Sequence, residues 1–355
     1  LSSRPRRSNG IAMSNFIHHI LAAAWSFALV AGLLTLASKL WLSRRLDEIE
    51  HPAEFDTPAA YIWLVVPGLL PVVWLVSGLI HLDESGALMQ ACCSVLAGSG
   101  ASWQQWIFGA GAVALIGTQS CAIWRRWRPT AHAHQLSDVD EAATRVQSLC
   151  RNHPRLSGFT DDIRVVDCGA SICATVGLFG RRIEIAEALV DRLDDPALEA
   201  ALLHEVAHYS VHDPARSFVL LLSQIINPFA FVLSGEASAW RFSREIVCDG
   251  HAVDCGAEPV SVADAILTAA RAHSTASPAP CARLCGGEPD ALTARVNLLL
   301  NVEQPTHDCS STVKVPAIGT AILSLGLVLP HLMGARVISF HCLLEETLHT
   351  LTFLF

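Results

Sequence analysis

The chain has 355 residues, of which 52% are hydrophobic and only 16% are charged, whereas an ordinary soluble domain carries about 25% charged residues. The shortfall indicates membrane-embedded segments. The net charge of -9, without a basic patch that has interleaved aromatic residues, argues against direct nucleic-acid binding. The twelve cysteines are scattered through a chain too long for a disulfide miniprotein, so they predict no disulfide framework.

Four apolar segments are long enough to cross the roughly 30 Å hydrocarbon core of a bilayer. They run from about Phe16 to Trp41, Tyr61 to Ile80, Trp103 to Trp124 and Val315 to Leu332. Soluble helices rarely stay apolar on every face over such a length, which disfavours buried helices of a soluble protein. The sequence therefore predicts a mainly α, multi-span helical membrane protein. Its expected parts are a three-helix membrane region (1-129), one soluble domain (130-314), and a fourth span with a short tail (315-355).

The distribution of Lys and Arg predicts the orientation of these spans. Lys39, Arg44 and Arg45 lie at the end of the first span or just after it, and three more basic residues follow the third span, whereas the loop from His81 to Ser102 has none. We therefore expect that loop to be exported, and the soluble domain to face the cytoplasm from a bacterial inner membrane. The same orientation places the N-terminus outside. The three arginines among residues 1–12 contradict this unless translation starts at Met13.

A predicted helix that begins near Asp195-Pro196 carries the residues expected to do chemistry. It contains His204-Glu205-Val206-Ala207-His208, which is the HExxH pattern, and Leu198 and Leu202 give it an apolar face. Residues four apart share one helical face, so both imidazoles can bind one zinc ion. Glu205 lies one step around the helix, where it can act as the base toward the water that the metal activates.

A catalytic zinc site also needs a third protein ligand and an open fourth position. Glu245 and Asp249 stand four apart downstream, and therefore share a helical face. We expect Glu245 to bind a single catalytic Zn²⁺, and Asp249 to hydrogen-bond a ligating imidazole and fix its tautomer. The alternative for such a pair of acids is a solvent-exposed helix face.

Together these motifs resemble those of the membrane zinc peptidases of the BlaR/MecR type, peptidase family M-56. The residues that carry the resemblance are His204 to His208, Asp213, Ile226-Asn227-Pro228-Phe229, Glu245 and Cys248-Asp249. Weaker likenesses are Val176-Gly177-Leu178-Phe179 and Arg182-Ile183-Glu184-Ile185, to a strand before the zinc helix, and Arg295-Val296-Asn297-Leu298-Leu299, to a later helix. The likeness covers roughly residues 15 to 335.

The resemblance implies a gluzincin-type α+β zinc peptidase domain between the third and fourth transmembrane helices. It implies an endopeptidase that cleaves itself or a protein substrate, such as a DNA-binding transcriptional repressor, after an external signal. The family's best-known members carry a penicillin-binding sensor after the fourth span, whereas only a short tail follows Leu332 here. We therefore do not expect this chain to sense β-lactams directly.

Two other functions stay open. A membrane quality-control metalloprotease of the HtpX or CAAX-protease type shares HExxH and a downstream Glu-xxx-Asp, although Cys248-Asp249 and the short interval from His208 to Glu245 favour the BlaR/MecR type. A non-catalytic membrane signalling scaffold would keep zinc only for structure. The intact Glu205 argues against a scaffold, because a structural zinc site has no use for a base.

Several further residues could contribute to the site. Tyr209 or His273 could stabilise an oxyanion, and the sequence does not choose between them. His212 lies four residues after His208 and could extend the metal-binding face, but Asp213-Pro214 is expected to end that helix, so we do not expect His212 to bind metal. His251 is expected to point to another face. The strand at Arg182 to Ile185 could pair with an extended substrate; the alternative is an ordinary core strand.

The apolar stretch from Phe218 to Leu233 is predicted not to cross the membrane. It has 16 residues, and Asn227-Pro228 interrupts it, because proline disfavours helix in the residue before it. A single crossing would separate His208 from Glu245 by about 30 Å, whereas zinc–ligand bonds are about 2 Å long. We expect a bent, buried helical pair or a hairpin that dips into the inner leaflet.

Overall fold

The computed structural model describes residues 8–80, 117–118, 121, 134–135, 141–167, 173–178, 180–275 and 289–301. Side chains are described for these residues except at 8–26, 74–80, 134–135, 273–275 and 289. This part of the chain is mainly helical with few strands, which confirms the coarse fold class. The boundaries predicted at 129/130 and 314/315 lie outside the described residues.

The helices are α1 (Ser8–Glu48), α2 (Pro58–Ile80), α3 (Glu141–Asn152), α4 (Glu187–Val190), α5 (Asp195–Ser210), α6 (Asp213–Ile226), α7 (Ser234–Asp254), α8 (Pro259–Thr275) and α9 (Pro289–Leu300). The strands are β1 (His134–Gln135), β2 (Ile163–Asp167), β3 (Cys173–Val176) and β4 (Arg182–Ala186). Short 3-10 turns cover Pro52–Phe55, Ser157–Asp162 and Ala230–Leu233.

The described strands form one sheet in the order β1-β2-β4-β3. β2 and β4 are parallel, with Val165 opposite Ile185, and β3 is antiparallel to β4, with Thr175 opposite Ile183. Both edges of β4 are therefore paired. The prediction that Arg182 to Ile185 could accept an extended substrate is wrong, because a strand hydrogen-bonded on both sides has no free edge. The end strand beside the HExxH helix is β3.

The predicted HExxH helix is α5, and it lies within the larger apolar core of the described residues. Its N-cap is Asp194, whose Oδ1 accepts a hydrogen bond from the backbone N–H of Ala197 at 2.9 Å, one residue before the expected start. Leu198, Leu202 and Val206 are buried as predicted. Most of the other residues of α5 are buried too, because β3, α7 and α8 pack around it.

A second apolar cluster joins α1 and α2 to α6 and α7. The Tyr61 hydroxyl donates to the backbone oxygen of Arg216 at 2.9 Å, and its ring lies 5.2 Å from that of Trp240. Helices α2 and α6 approach so closely at Gly68 that an added Cβ would lie 2.2 Å from the backbone oxygen of Ser223. Glycine at this position therefore permits the contact between the two helices.

The interruption predicted at Asn227-Pro228 is confirmed. Helix α6 ends at Ile226, and Oδ1 of Asn227 accepts a hydrogen bond from the backbone N–H of Phe229 at 2.9 Å. The chain then turns through Ala230–Leu233 and returns as α7. The stretch from Phe218 to Leu233 is thus a helix followed by a turn.

Two of the four predicted membrane spans lie within helices of the structure. The first lies in α1, which contains the helix Phe27–Glu48; among the described residues this is the one helix long and apolar enough to cross a membrane. The second lies in α2, whose described apolar part, Pro58–Val73, is shorter. The fourth predicted span and the exported loop fall outside the described residues, and of the third span only residues 117–118 and 121 are described. Signal sequences and buried core helices have the same length and composition as Phe27–Glu48, so the multi-span architecture stays a prediction.

Candidate metal centre

The structure brings together the three side chains predicted to bind metal. His204 and His208 come from α5 and Glu245 from α7, and one donor atom of each lies within 4.8 Å of the other two. The two imidazole Nε2 atoms are 3.1 Å apart. Glu245 places Oε2 at 3.6 Å from Nε2 of His204, and Oε1 at 3.7 Å from Nε2 of His208.

This donor set fits zinc in both chemistry and spacing. Two atoms that each lie about 2.0–2.1 Å from a tetrahedral zinc ion are about 3.3 Å apart, close to the three distances above. Two imidazoles and one carboxylate are a known ligand set of catalytic zinc. Side-chain exposure rises from 2% at His204 to 15% at His208 and 24% at Glu245, so the group is closed on one side and open on the other.

We use the name His204 arm for His204, Asp249 and Arg295. Nδ1 of His204 lies 2.8 Å from Oδ1 of Asp249. Arg295 of α9 donates to both oxygens of Asp249 at 2.8 Å, and its Nη1 lies 3.0 Å from Oε2 of Glu245. Asp249 therefore lies behind the imidazole as predicted. The site role of Arg295 was missed, since the sequence shows only one arginine in an apolar helix.

The His208 arm comprises His208, Asp213, Arg244, Arg216 and Asp56. Nδ1 of His208 lies 2.5 Å from Oδ2 of Asp213, which accepts a hydrogen bond from Nε of Arg244 at 2.7 Å. Nη1 of Arg244 donates to Asp56 at 2.6 Å. Arg216 bridges the same two carboxylates more loosely, at 3.4 Å from Asp213 and 3.2 Å from Asp56. Of these residues, the sequence indicated only His208 and, through the resemblance, Asp213.

A tight reversal between α5 and α6 brings Asp213 back to His208. His212 adopts the left-handed conformation, with φ of 60°, which is uncommon for a residue with a side chain. This conformation lets α6 begin with only two residues between it and the end of α5. The carboxylate five positions after His208 can therefore reach its imidazole.

The two carboxylates behind the imidazoles determine which ring nitrogens face the donor group. Each Nδ1 faces a carboxylate, Asp249 for His204 and Asp213 for His208, so each Nε2 is directed toward the other and toward Glu245. Such carboxylate–imidazole pairs fix the tautomer and ring orientation of metal-binding histidines.

A second possible donor group lies on the other side of His208. Sγ of Cys248 is 3.5 Å from Nδ1 of His208, and these two residues with Asp213 also lie within 4.8 Å of one another. Arg244, however, already donates to Asp213 at 2.7 Å. Its positive charge disfavours a cation at that position, so the Nε2 side is the better metal site.

The charges around the donor group favour ionised carboxylates. Burial would raise the pKa of Glu245, but the charge of Arg295 outweighs it, and the pKa falls from 4.5 to about 2. For Asp249 too, the charge of Arg295 opposes the effect of burial, and the pKa falls from 3.8 to about 2. For His204, burial would lower the pKa, but hydrogen bonds to Asp249 and Glu245 raise it from 6.5 to about 9. Without metal, His204 therefore carries a proton that a metal ion must displace.

Glu205, the predicted base, is 2% exposed and is oriented by the end strand of the sheet. Oγ1 of Thr175 in β3 lies 3.0 Å from Oε2 of Glu205 and 2.9 Å from its backbone oxygen. Thr175 therefore links β3 to the HExxH helix at the residue expected to move a proton. Nothing in the local sequence marks Thr175 for this contact.

The other candidates lie away from the donor group or outside the described side chains. The Tyr209 hydroxyl donates to Oδ2 of Asp162 at 2.8 Å. His212 is exposed, and neither it nor His251 belongs to the ligand group. The side chain of His273 lies outside the described residues.

Comparison with known proteins adds no relative: no protein-family model matches the chain, and no curated protein matches it. The resemblance to the BlaR/MecR type therefore rests on the motifs of this sequence.

Proposed function

We propose that this chain is a membrane-bound zinc endopeptidase that holds one Zn²⁺ through His204, His208 and Glu245. The observation that carries the proposal is the convergence of these donors from two helices, with one side open and an arginine-supported carboxylate behind His204. A further acid, Glu205, is next to the first ligand in the chain and outside the ligand group. Such a residue is expected in a catalytic site and is not needed in a structural one.

Each residue of the site has a separate role in the proposed peptide hydrolysis. Zinc, when bound, supplies Lewis-acid polarisation of the scissile carbonyl and lowers the pKa of water at the metal. Glu205 accepts the proton of the attacking water and delivers it to the leaving amine. Thr175 orients the Glu205 carboxylate through its hydroxyl. Asp249 and Asp213 keep each imidazole from rotating and keep its Nε2 directed at the site.

Two features of the surface support a membrane location. Leu33, Leu36 and Leu40 are each more than half exposed along one side of α1, whereas Thr35 on the same helix is buried. This is the reverse of a soluble amphipathic helix, and it suits a helix that faces lipid. Phe231 in the turn after α6 is 62% exposed, and this turn packs against α1. The active site would therefore lie close to the cytoplasmic membrane surface.

The proposed substrate is a protein chain near that surface, either this protein itself or a partner such as a transcriptional repressor. β3 is the end strand of the described sheet and carries Thr175, so an extended peptide paired with it would pass beside Glu205. The proposed domain is of the gluzincin type and signals as the BlaR/MecR resemblance implies.

The experiment is a cleavage assay on the full chain in membranes, with zinc content measured on the same samples. Glu205→Gln should keep its zinc while cleavage falls by about 10²–10⁴-fold, because only the base is lost. Glu199→Gln is the matched control, since Glu199 lies on the same helix and faces His153. It should cleave like the wild type. Unchanged cleavage by Glu205→Gln would show that the chemistry is not this one, and a wild type without zinc would overturn the metal assignment.

A further inference from the structure

A chain of buried charges connects the metal-site helices to the segment between α1 and α2. Asp56 and Asp213 alternate with Arg216 and Arg244, and the four side chains are only 6% to 10% exposed. Charges removed from water in this way are stable only when each is paired and hydrogen-bonded. Displacing any one of them therefore leaves another without its partner.

Residues 49–57 connect α1 to α2, and we call them the α1–α2 linker. This linker packs against α7. Its 3-10 turn buries Ala53 and Phe55 against that helix. The hydroxyl of Ser243 donates to the backbone oxygen of Ala53 at 3.2 Å. Ser243, Arg244 and the ligand Glu245 are consecutive. The linker therefore touches α7 at the residues that immediately precede a metal ligand.

From the linker, three short contacts lead to an imidazole of the site. Asp56 accepts from Arg244 at 2.6 Å, Arg244 donates to Asp213 at 2.7 Å, and Asp213 lies 2.5 Å from Nδ1 of His208. All three are charge-assisted, and such hydrogen bonds are short and directional. The carboxylate behind a metal-binding histidine sets the orientation of its ring. A shift of Asp56 is therefore transmitted to His208 through two intervening side chains.

Helix α1 reaches α7 at a second point. Glu236, in the first turn of α7, is buried and accepts hydrogen bonds from Lys39 and Ser43 of α1. A movement of α1 thus acts on α7 both through Glu236 and through the linker. A small cavity between the linker, α7 and α9 is lined by His51 and Ala53 of the linker and by Arg295 of α9.

We infer that Asp56 is a positioning residue for the metal site, and that movement of α1 or α2 changes metal binding through the contacts from Asp56 to His208. The inference rests on the proposed function and names the means by which that site is regulated. These contacts would transmit a signal received by the membrane region to the imidazole of His208.

The test compares two substitutions in the same linker, made in the full chain in detergent micelles. Asp56→Asn removes the charge that holds both arginines. Glu54→Gln is the matched control, because Glu54 makes no ion pair with the described residues. Zinc affinity is measured by competition with a chelator, and the geometry of the ligand group by the visible absorption spectrum of the cobalt-substituted protein. Asp56→Asn should bind zinc about 10–100-fold more weakly and should change the cobalt spectrum.

Glu54→Gln should match the wild type in both measurements, and Asp56→Glu, which restores the charge, should recover most of the affinity. A folded Asp56→Asn protein with wild-type zinc affinity and an unchanged cobalt spectrum overturns the inference. If circular dichroism shows that Asp56→Asn does not fold, Arg244→Lys, which keeps the charge and loses the bridge, decides by the same two measurements. Failure of the proposed function gives a different pattern, in which the wild type and Glu54→Gln bind no zinc either.

Discussion

Each of the two imidazoles is held by a carboxylate that arginine supports, but the two arms extend to different parts of the chain. The His204 arm ends within the helices that pack around α5, because Asp249 and Arg295 belong to α7 and α9. The His208 arm continues through two arginines to Asp56 between α1 and α2. The shorter arm also contacts the third ligand, so it sets the charge of the ligand group. The longer arm makes one imidazole dependent on a distant part of the chain.

Removing the carboxylate ligand Glu245 should weaken zinc binding more than any change in either arm. Glu245→Ala takes away one of three metal donors and the second partner of Arg295. We expect zinc affinity to fall by more than about 100-fold, beyond the loss usual for a supporting residue. Zinc content of the purified protein is the measurement. Asp254→Ala, an exposed acid on the same helix, should keep its zinc. Full retention by Glu245→Ala would place the third ligand elsewhere.

Breaking each arm behind its imidazole should have a smaller effect. Asp249→Asn and Asp213→Asn should each weaken zinc binding by about 10–100-fold, since each leaves one ring less firmly oriented. The two arms should differ in how much the further substitution Asp56→Asn weakens zinc binding. Asp56→Asn should add little to Asp213→Asn, because the two residues act in series, and should add its full effect to Asp249→Asn. The affinities of the wild type, the three single variants and the two double variants, measured by chelator competition, decide this, and full additivity in both pairs would show that Asp56 does not act through Asp213.

The protonation of His204 predicts a pH dependence of metal binding. Its pKa is raised from 6.5 to about 9 in the folded, metal-free protein. A raised pKa contributes stability that is fully present below pH 6.5 and is lost as the pH rises through 9. Zinc requires the neutral imidazole, so its affinity should rise between pH 6.5 and 9 by up to about tenfold per unit for this one proton. Thermal unfolding with and without zinc measures the difference, and a constant difference across that range would contradict the prediction.

Local spacing accounts for the part of the site that the sequence predicted. His204 with His208, and Glu245 with Asp249, are four apart on helices, and a helix places such residues on one face. The interruption at Asn227-Pro228 is likewise a local property of proline. These features depend on a few neighbouring residues, so no knowledge of the fold was needed to find them.

Long-range pairing accounts for what the sequence did not show. Arg295 meets Asp249 across 46 positions, and Arg244 meets Asp56 across 188, and nothing in either local sequence specifies those partners. Strand order is similarly non-local. The pattern around Arg182 indicates a strand, but only the packed sheet shows that β4 has neighbours on both sides and that β3 ends the described sheet.

Tyr209 should give the smallest effect, although it directly follows a predicted ligand. Its hydroxyl donates to Asp162 at 2.8 Å, Phe159 packs edge-on at 5.4 Å, and the guanidinium of Arg181 lies 4.4 Å above its ring. These contacts hold the side chain against Arg181 and the turn Ser157–Asp162. Tyr209→Phe should lower the free energy of unfolding by about 1 kcal/mol, the usual contribution of one hydrogen bond. Zinc affinity and cleavage should be unchanged, because neither arm includes this residue.

Asp162→Asn is the matched variant for Tyr209→Phe, since it weakens the same hydrogen bond from the other side and should cause a similar small loss of stability without loss of cleavage. The informative measurement is the peptide-cleavage rate at saturating zinc. A loss of about 100-fold in Tyr209→Phe with normal zinc content is the size of effect expected when an oxyanion donor is removed. If Asp162→Asn then cleaved normally, the hydroxyl would have to leave Asp162 and reach the substrate during catalysis. That result would add to the site a residue that belongs to neither arm.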